Sequence, residues 1–341
     1  MVSARQPLKA LVVCHAGVGV GLGHLTRSRV VARALREELA ADVHLLVQGE
    51  TVVLANTDAF THSFVPITAR LVDAIAAWVR VEAPLLVVFD LYPKQVPLNM
   101  DDLLVDLRAS GCKLIAVDVL ANLSRFFDLV FIPSFQFKPP PQNTDVVKFV
   151  FGWDCFLLNV SKPERLWQPG RNVLVLTGGS DASGLGDTWP SQLNSELPAD
   201  TITHWVTGPF SRMPVWPARL RTEMHNHVAP ENLNALMARA NYAVTVYGVS
   251  FYELLCCGIP TVVFSPYGNK DNLELNAIEA SGVAVVAIDE RDAINKLVRI
   301  MESHEIAQAL SERAAKLMGI SGGQTFARFA NELIQGHNLN G

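Results

Sequence analysis

Alternating glycines followed by a histidine near the start of the chain form a pattern that suits a catalytic turn. Gly17, Gly19, Gly21 and Gly23 precede His24, which opens a helical pattern. Glycine lets the backbone approach a ligand closely, and the N–H groups at a helix start favour an anion. Because the helix dipole disfavours a protonated imidazole at this end, we interpret His24 as a neutral general base. The alternative for the glycines alone is a tight turn that needs small residues.

Three charged residues of the first half fall where an anion or a sugar would be bound. Arg27 lies one turn after His24 and could neutralise a phosphate or carboxylate, unless it is a solvated surface arginine. Asp90 and Asp118 each end a predicted strand. Ligands of parallel sheets bind outside the carboxyl ends of the strands. We therefore predict that the anion or sugar is contacted by Gly21, Gly23, Arg27, Asp90 and Asp118.

The second half has a matching glycine-rich turn after its first apolar run. Gly178, Gly179, Ser180 and Asp181 directly follow this run and are predicted to bind the ligand. The two glycines again allow a close approach of the backbone. Asp181 either orients a sugar hydroxyl or caps the following helix, and the sequence leaves both interpretations open.

A strand end and a helix start near residue 250 supply the groups that a nucleotide requires. The turn contains Tyr247, Gly248 and Val249, and the predicted helix begins near Ser250 with Glu253 in its first turn. Ser250 and the following N–H groups could hold a diphosphate, and Glu253 could accept hydrogen bonds from both hydroxyls of a ribose. The alternative is a capping box formed by Ser250 and Glu253.

The sequence gives little support for a metal site. It contains no DxD triplet, the arrangement that would supply carboxylate ligands for a metal-bridged diphosphate. His225 and His227 form an HxH pair with His204 upstream, but no further ligands cluster with them. We expect neither a metal nor another cofactor, so helix starts and Arg or Lys would meet the charge of a leaving diphosphate.

Apolar runs that alternate with helical patterns predict the elements that position these residues. Buried strands are predicted at Leu11–Cys14, Val43–Val47, Leu85–Phe89, Leu114–Val117, Leu129–Ile132, Val173–Leu176, Thr203–Val206, Ala243–Val246, Thr261–Phe264 and Val283–Ile288. Helices are predicted at Leu25–Leu39, Glu231–Ala240, Ser250–Cys257, Lys270–Ser281 and from Arg291 to the end. This alternation indicates parallel α/β sheets.

Proline and glycine interrupt the pattern once in mid-chain and divide it into two α/β domains. We predict an N-terminal domain over residues 1–155, a linker over 156–170, a C-terminal domain over 171–320, and a C-terminal helix and tail over 321–341. We expect the two parallel sheets to face one another across a cleft, with His24 and Glu253 both directed into it.

Composition excludes several classes of protein. The chain has 341 residues, 50% of them hydrophobic, and a net charge of −5, which offers no electrostatic footprint for nucleic acid. Five cysteines without CxxC spacing favour a reducing compartment. The N-terminal residues do not resemble a signal peptide, and no apolar run is long enough to span a membrane. We therefore predict a cytoplasmic protein, and the sequence does not indicate its oligomeric state.

A resemblance to a known superfamily rests on the combination of these motifs. The GxGxGH start with Arg27 and the segment GVSFYELLCCGIP resemble the GT-B glycosyltransferases. Two groups are most similar: the peptidoglycan N-acetylglucosaminyltransferases and the UDP-sugar hydrolase of pseudaminic acid biosynthesis. The second shares Gly23-His24, Gly178–Asp181 and Tyr252-Glu253-Leu254.

The resemblance implies two Rossmann-like domains, with the acceptor on the first and a nucleotide sugar held mainly by the second, without a metal. His24 would be the catalytic base, Gly248 and Ser250 would bind the diphosphate, and Glu253 would bind the ribose. Asn269 and Asn272 follow the next strand, where relatives carry an Asn-Gln or paired-Gln element, and would also contact the nucleotide sugar.

The resemblance predicts a metal-independent inverting glycosyltransferase that uses a nucleoside-diphosphate sugar, with UDP as the expected nucleotide, and a small-molecule, sugar or lipid acceptor. The alternative is a nucleotide-sugar hydrolase of the pseudaminic acid pathway type, with water as the acceptor. The element Gly178–Asp181 favours the hydrolase, whereas Val119 and the long loop Phe135–Val147 favour another acceptor. A second alternative is a non-catalytic subunit that binds a nucleotide sugar.

Overall fold

The computed structural model describes residues 7–17, 20, 23–49, 60–138, 147–160, 167–230, 232–319 and 321–336. The chain divides into two compact units. The first unit comprises Met1–Asn159 and Ile320–Gly341, and the second comprises Val160–Gly319. The boundary between Asn159 and Val160 falls inside the segment that was predicted as a linker, residues 156–170. Both units are parallel α/β structures, which confirms the predicted fold class.

The described strands of the first unit form one parallel sheet. They are β1 (Lys9–Ala16), β2 (Asp42–Gly49), β3 (Thr61–Val65), β4 (Leu86–Asp90), β5 (Lys113–Val117), β6 (Leu129–Phe131) and β7 (Lys148–Val150). Their order in the sheet is β3-β2-β1-β4-β5-β6-β7. Among the described residues, the α-helices between these strands are α1 (Gly23–Leu39), α2 (Leu71–Glu82) and α3 (Met100–Ala109).

The central strand β1 shows why this part of the sequence is almost continuously apolar. Its residues Ala10, Val12 and Cys14 belong to one buried cluster. The alternate residues Leu11 and Val13 belong to a second cluster on the other face of the sheet. Successive side chains of a strand point to opposite faces, so a strand covered on both sides needs apolar residues at every position.

The second unit repeats the same strand order. Its described strands are β8 (Asn172–Leu176), β9 (Ile202–Thr207), β10 (Glu223–Val228), β11 (Tyr242–Val246), β12 (Thr261–Phe264) and β13 (Val285–Val286). They form a parallel sheet in the order β10-β9-β8-β11-β12-β13. Its helices are α4 (Leu185–Glu196), α5 (Leu233–Met237), α6 (Val249–Cys256), α7 (Asn272–Ser281), α8 (Glu290–Glu302) and α9 (His304–Leu317).

The last helix, α10 (Gly322–Ile334), completes the core of the first unit although it follows the second unit in the chain. Phe326, Ala330 and Leu333 join the buried cluster that contains Val31 and Leu35 of α1. The ring of Phe326 also lies edge-on to that of Phe131, with 5.2 Å between the centroids. The predicted C-terminal helix and tail, residues 321–341, therefore begins with a helix that packs on the first unit.

Each sheet has a switch point where the strand order reverses. In the first unit it lies between β1 and β4, and in the second between β8 and β11. The chain leaves these neighbouring strands in opposite directions, which opens a crevice at their carboxyl ends where ligands of such sheets bind. The turns singled out in the sequence follow these strands.

The structure corrects several predicted elements. The predicted strand Val283–Ile288 shortens to β13, and the predicted helix Lys270–Ser281 begins as a short 3-10 helix at Gly268–Asp271. Of the predicted helix Glu231–Ala240 only α5 is helical among the described residues, and Glu231 lies outside them. Sequence reasoning missed β3, β7 and β10.

No helix among the residues described is both long enough and apolar enough to cross a membrane.

Candidate active site

His24 and Asp90 meet at the switch point of the first unit. His24 is the second residue of α1, and Asp90 is the last residue of β4, which pairs with β1 in the sheet. Nδ1 of His24 lies 2.6 Å from Oδ1 of Asp90, and the Asp90 side chain is only 1% exposed. A carboxylate only accepts hydrogen bonds, so the proton between them belongs to Nδ1 of His24. Nε2 of a neutral His24 then carries the lone pair that can act as a base.

Arg27 holds the same carboxylate in a two-point contact. Its Nε donates to Oδ2 of Asp90 over 3.0 Å, and its Nη2 donates to Oδ1 over 2.6 Å. Burial opposes the charge on Arg27, but Asp90 outweighs burial and the pKa of the guanidinium is raised. Two-point pairs of this kind fix the orientation of both groups. The carboxylate of Asp90 is therefore oriented toward His24, and Arg27, predicted as an anion contact, here fixes Asp90.

Asp118 lies beside this group but is less tightly held. It follows β5 with a φ of 71°, a left-handed conformation that is uncommon outside glycine and asparagine or aspartate. Its Oδ2 is 3.4 Å from Nη1 of Arg27, and its side chain is 53% exposed. The first unit thus brings together four predicted site residues, His24, Arg27, Asp90 and Asp118, at one edge of its sheet.

The predicted glycine turn is described only in part. Gly17 has a φ of 131°, a backbone conformation that residues with a side chain rarely adopt. Gly23 is the first residue of α1. Gly19 and Gly21 lie outside the described residues, so the contact predicted for Gly21 stays a prediction.

A second histidine, His15, connects two of the segments that form this site, and it was not predicted from the sequence. His15 is fully buried on β1, and its Nδ1 accepts a hydrogen bond of 3.0 Å from the backbone N–H of Tyr92. This bond ties the end of β1 to the turn that follows Asp90. Burial lowers the pKa of His15 to about 4, so the imidazole stays neutral at pH 7. The available signal was a polar residue near the end of an apolar run, since Ala10–Cys14 before it and Ala16 after it are all apolar.

The switch point of the second unit contains a cavity of about 290 Å³. Buried residues line its floor, among them Leu176, Thr177, Val206 and Thr207. Exposed residues form its rim, which includes the predicted site residues Gly178 and Gly179. Ser250 lines the same cavity. A mostly apolar cleft with a few polar groups at the edge is typical of a small-molecule site.

Close backbone contact explains why position 208, beside the turn of Gly178 and Gly179, is a glycine. A Cβ atom on Gly208 would lie 2.4 Å from the carbonyl oxygen of Gly179, so no larger residue fits there. Phe210 N–H also donates to that carbonyl over 3.0 Å. These contacts fix the rim of the cavity.

Asp181 caps a helix in this structure. Its Oδ1 accepts the N–H of Leu185 over 3.0 Å, and its Oδ2 accepts the N–H of Gly186 over 2.8 Å. Both oxygens therefore satisfy the first N–H groups of α4. Of the two interpretations left open by the sequence, the structure favours the cap. Ser180, the residue before it, is exposed.

The helix α6 begins one residue earlier than predicted, and this removes the capping-box alternative. Gly248 occupies the N-cap position without a side-chain cap, and Val249 is the first helical residue. Ser250 is then the second residue and Glu253 the fifth, so Glu253 lies beyond the first turn where it was predicted. A capping box needs its serine at the N-cap position. Tyr247, before the helix, shares a hydrogen bond of 2.8 Å between its hydroxyl and that of Tyr252.

Glu253 is half-buried, and its carboxylate makes no hydrogen bond within the described part of the chain. Its burial raises the pKa of this carboxyl group. A carboxylate that is partly removed from water is stabilised when a ligand supplies hydrogen-bond donors. Glu253 is therefore suited to receive hydroxyl groups.

Asn269 and Asn272 lie elsewhere in the second unit. The amide nitrogen Nδ2 of Asn272 donates to Oδ1 of Asn269 over 2.9 Å. Both residues line a separate cavity of about 370 Å³ whose other lining residues include Glu279 and Lys296. The structure therefore does not bring these two predicted residues into the cavity of Gly178, Gly179 and Ser250.

His225 and His227 of the HxH pair lie on β10, and His204 lies on the neighbouring strand β9. Nδ1 of His204 on β9 is 3.1 Å from Nε2 of His227 on β10, and Nε2 of His225 is 2.6 Å from Oε1 of Glu223. Across the residues that the structure describes, no group of three or more His, Cys, Asp or Glu side chains is arranged to hold a metal ion.

Comparison with known proteins identifies the fold to which this architecture corresponds. No family model and no curated protein matches the sequence. Solved structures of 223 chains are similar, and the two-unit fold is that of the GT-B glycosyltransferases, as the resemblance implied.

Particular structures match over almost the whole chain. MurG of Acinetobacter baumannii is 16% identical over 96% of this chain and 99% of its own, with a TM-score of 0.62. The glycosyltransferase of kitacinnamycin is 13% identical over 96% of this chain and 100% of its own, with a TM-score of 0.66. UGT2 of Phytolacca americana, solved with UDP-2fluoro-glucose and pterostilbene, is 12% identical over 97% and 99%, with a TM-score of 0.65.

Proposed function

We propose that this chain is a cytoplasmic, metal-independent, inverting glycosyltransferase that moves a sugar from a nucleoside-diphosphate sugar to a small-molecule, sugar or lipid acceptor. The expected nucleotide is UDP. The fold supports this class, since its structural neighbours are glycosyltransferases, among them one solved with a UDP-sugar analogue and one with thymidine diphosphate. The single observation that carries the proposal is the contact of His24 with Asp90.

The reaction uses the free Nε2 of His24 as the base. Nε2 takes the proton of the acceptor's hydroxyl as its oxygen forms a bond to the anomeric carbon of the sugar. The bond from that carbon to the diphosphate oxygen breaks, and the nucleoside diphosphate leaves with the electron pair. Attack opposite to the leaving group inverts the configuration. The imidazolium that forms donates from Nδ1 to Asp90, whose negative charge stabilises it.

The second unit supplies the groups for the nucleotide. The apolar walls of its cavity suit the base, and Ser250 with the uncapped start of α6 suits the diphosphate. Glu253 would accept the ribose hydroxyls, which provide the donors that its carboxylate lacks. The proposal requires that these residues and His24 serve one substrate molecule.

The test combines nucleotide binding with turnover. We expect UDP to bind by isothermal titration calorimetry, and a panel of UDP-sugars with hydroxyl acceptors to reveal transfer by mass spectrometry. His24→Ala should reduce turnover by roughly 100-fold or more because the base is lost, and should leave UDP affinity within about twofold. His62→Ala, at an exposed histidine on β3, is the matched control and should retain full turnover.

Two results would replace the proposal with one of its alternatives. Rapid, stoichiometric release of free sugar without an acceptor would identify water as the acceptor and the chain as a hydrolase. Binding of UDP-sugars without turnover in any acceptor panel would identify a non-catalytic binding subunit.

A further inference from the structure

Three histidines of the second unit lie against one another across two neighbouring strands. His204 on β9 is directly opposite His225 on β10, and His227 follows two residues later on the same face. The ring centroid of His204 is 5.4 Å from that of His225 and 5.3 Å from that of His227. Imidazole is the side chain that ordinarily changes its charge between pH 5 and pH 8. Three groups that can each gain a proton in this range therefore share a small volume.

Hydrogen bonds fix which nitrogen of His204 carries a proton at neutral pH. The backbone N–H of Asn172 donates to Oδ1 of Asn241 over 3.0 Å, and Nδ2 of Asn172 donates to the same oxygen over 3.2 Å. The side-chain oxygen of Asn172 then faces Nε2 of His204 over 3.2 Å and can only accept. Nε2 of a neutral His204 therefore carries the proton, and its Nδ1 carries the lone pair.

The contact between His204 and His227 depends on that lone pair. Nδ1 of His204 is 3.1 Å from Nε2 of His227, so His227 donates and His204 accepts. A first additional proton can bind to Nδ1 of His227 without disturbing this hydrogen bond. A second proton, on Nδ1 of His204, would place two N–H groups against each other, and neither could accept. The contact is therefore compatible with one positive charge on the pair but not with two.

The groups around the pair oppose the second charge. Burial lowers the pKa of both His204 and His227, and neighbouring histidines lower each pKa further. Arg239, which follows α5, also lowers the pKa of His204, whereas Glu223 on β10 acts in the opposite direction. Oε1 of Glu223 is 2.6 Å from Nε2 of His225, so this carboxylate is directed at the third ring. The strand β8 contributes only an uncharged amide at this point.

The strand β10 lies at the edge of its sheet, and its end borders the cavity at the switch point. The sheet order places β10 beside β9 alone. After the histidines, the N–H of Ala229 donates to the carbonyl oxygen of Thr207 over 2.8 Å. Ala229 and Pro230 line the 290 Å³ cavity, together with Val206 and Thr207. A loss of pairing between β9 and β10 would therefore alter one wall of that cavity.

We propose that His204 and His227 form a proton-sensitive contact that holds the edge strand β10 on β9 at neutral pH and releases it in acid. In the released state both imidazoles reach water and can be charged together. Because the released state binds more protons, the contribution of the pair to strand pairing is complete above about pH 6.5 and is lost as pH falls below that value. The contact does not depend on the proposed function, although its release would disturb the cavity assigned to the nucleotide.

Hydrogen–deuterium exchange of backbone amides, measured by mass spectrometry on the complete chain, tests the proposal. Peptides that cover β8 and β10 are compared at pH 7.5 and pH 5.5, with labelling times scaled to offset the slower chemical exchange in acid. In the wild type, the protection of β10 should fall on the order of tenfold at pH 5.5, because each imidazole that is charged only in the released state favours opening. The protection of β8 should change by less than about twofold, since a central strand opens with the whole unit.

His227→Gln separates the contact from other effects of acid. The glutamine amide can donate to Nδ1 of a neutral His204, and after rotation its oxygen can accept from a protonated one. The strand β10 should therefore stay protected at pH 7.5 and lose only about threefold or less at pH 5.5. His62→Gln, at an exposed histidine on β3, is the matched control and should behave like the wild type.

Three results would overturn the proposal. They are the same pH dependence of β10 in the wild type and His227→Gln, an equal loss of protection in β8 and β10, and a β10 that is already unprotected at pH 7.5. The comparison of β8 with β10 in the wild type decides the question alone if the variant does not fold.

Discussion

Nδ1 of His24 and Oδ1 of Asp90 are 2.6 Å apart, and Arg27 fixes the same carboxylate through two N–H groups. The contact decides which nitrogen of the imidazole is protonated. Asp90 therefore acts through His24, and we expect replacement of either residue to cause a similar loss of turnover.

Asp90→Asn should reduce kcat by roughly 100-fold or more. An amide has only one acceptor oxygen. Either one N–H group of the two-point contact from Arg27 or the Nδ1 proton of His24 therefore loses its acceptor. The double variant with His24→Ala should be no slower than His24→Ala alone, because the residues act as a unit. Steady-state kinetics with the transferred sugar would measure this, with the exposed Asp102→Asn on α3 as control. Additive losses in the double variant would contradict it.

Glu253→Gln should separate nucleotide affinity from stability. The affinity for UDP should fall about tenfold or more, because hydrogen bonds to a charged acceptor are replaced by weaker ones. The unbound protein should become more stable at pH 7. The folded-state pKa of Glu253 is raised by burial, so its stabilising contribution is present below that pKa and lost as pH rises through it.

The pH dependence of UDP binding gives a second readout of Glu253. Wild-type affinity should decline as pH falls through the raised pKa, because the carboxyl group becomes neutral. Glu253→Gln should lack this component, whereas Glu302→Gln on α8 should retain it. Identical pH profiles for wild type and Glu253→Gln would show that the carboxylate does not contact the nucleotide.

Asp181→Ala should cost stability rather than activity. Its two hydrogen bonds to the start of α4 contribute about 1 kcal/mol to the free energy of unfolding. Asp181→Asn should lose less, since asparagine can also cap and tolerates the residue's φ of 45°. Urea unfolding would measure the difference, and KM for the sugar donor should stay within about twofold. A large rise in KM with unchanged stability would restore the sugar-binding interpretation.

His15 should make the folded protein sensitive to acid. Its pKa falls from 6.5 to about 4 on burial, so the unfolded chain binds a proton in this range and the folded chain does not. The stabilisation is complete above pH 6.5 and is lost as pH falls toward 4, by a total on the order of 3 kcal/mol.

Two variants of His15 isolate this effect. His15→Asn keeps an acceptor near the position of Nδ1 for Tyr92 N–H but cannot be protonated, so it should lose less stability between pH 7 and pH 4.5 than the wild type. His15→Gln places its acceptor farther out and should be less stable at both pH values. Urea unfolding at the two pH values would test this, and the same pH slope in wild type and His15→Asn would refute it.

The central strands could be predicted from the sequence because burial on both faces imposes unbroken apolar runs. The order of residues along the chain also indicated that His24 and Asp90 lie at carboxyl ends of strands. Edge strands are different. The strand β10 reads EMHNHV and is mostly half-buried or exposed, so its polar composition gave no strand signal.

Some roles in the site depend on distances and helix boundaries, which the residue types alone do not determine. Asp181 can cap a helix or bind a sugar with the same oxygens, and only the distances to Leu185 and Gly186 show its partners. The spacing of Ser250 and Glu253 fits a capping box until the helix start at Val249 is known.

The packing of α10 on α1 has a consequence for synthesis on the ribosome. Phe326, Ala330 and Leu333 are translated after the whole of Val160–Gly319. The apolar face of α1 that α10 covers therefore stays exposed in the nascent chain while the second unit is synthesised. We therefore expect stalled or truncated chains that lack α10 to aggregate more readily than the complete chain, because that apolar face stays uncovered.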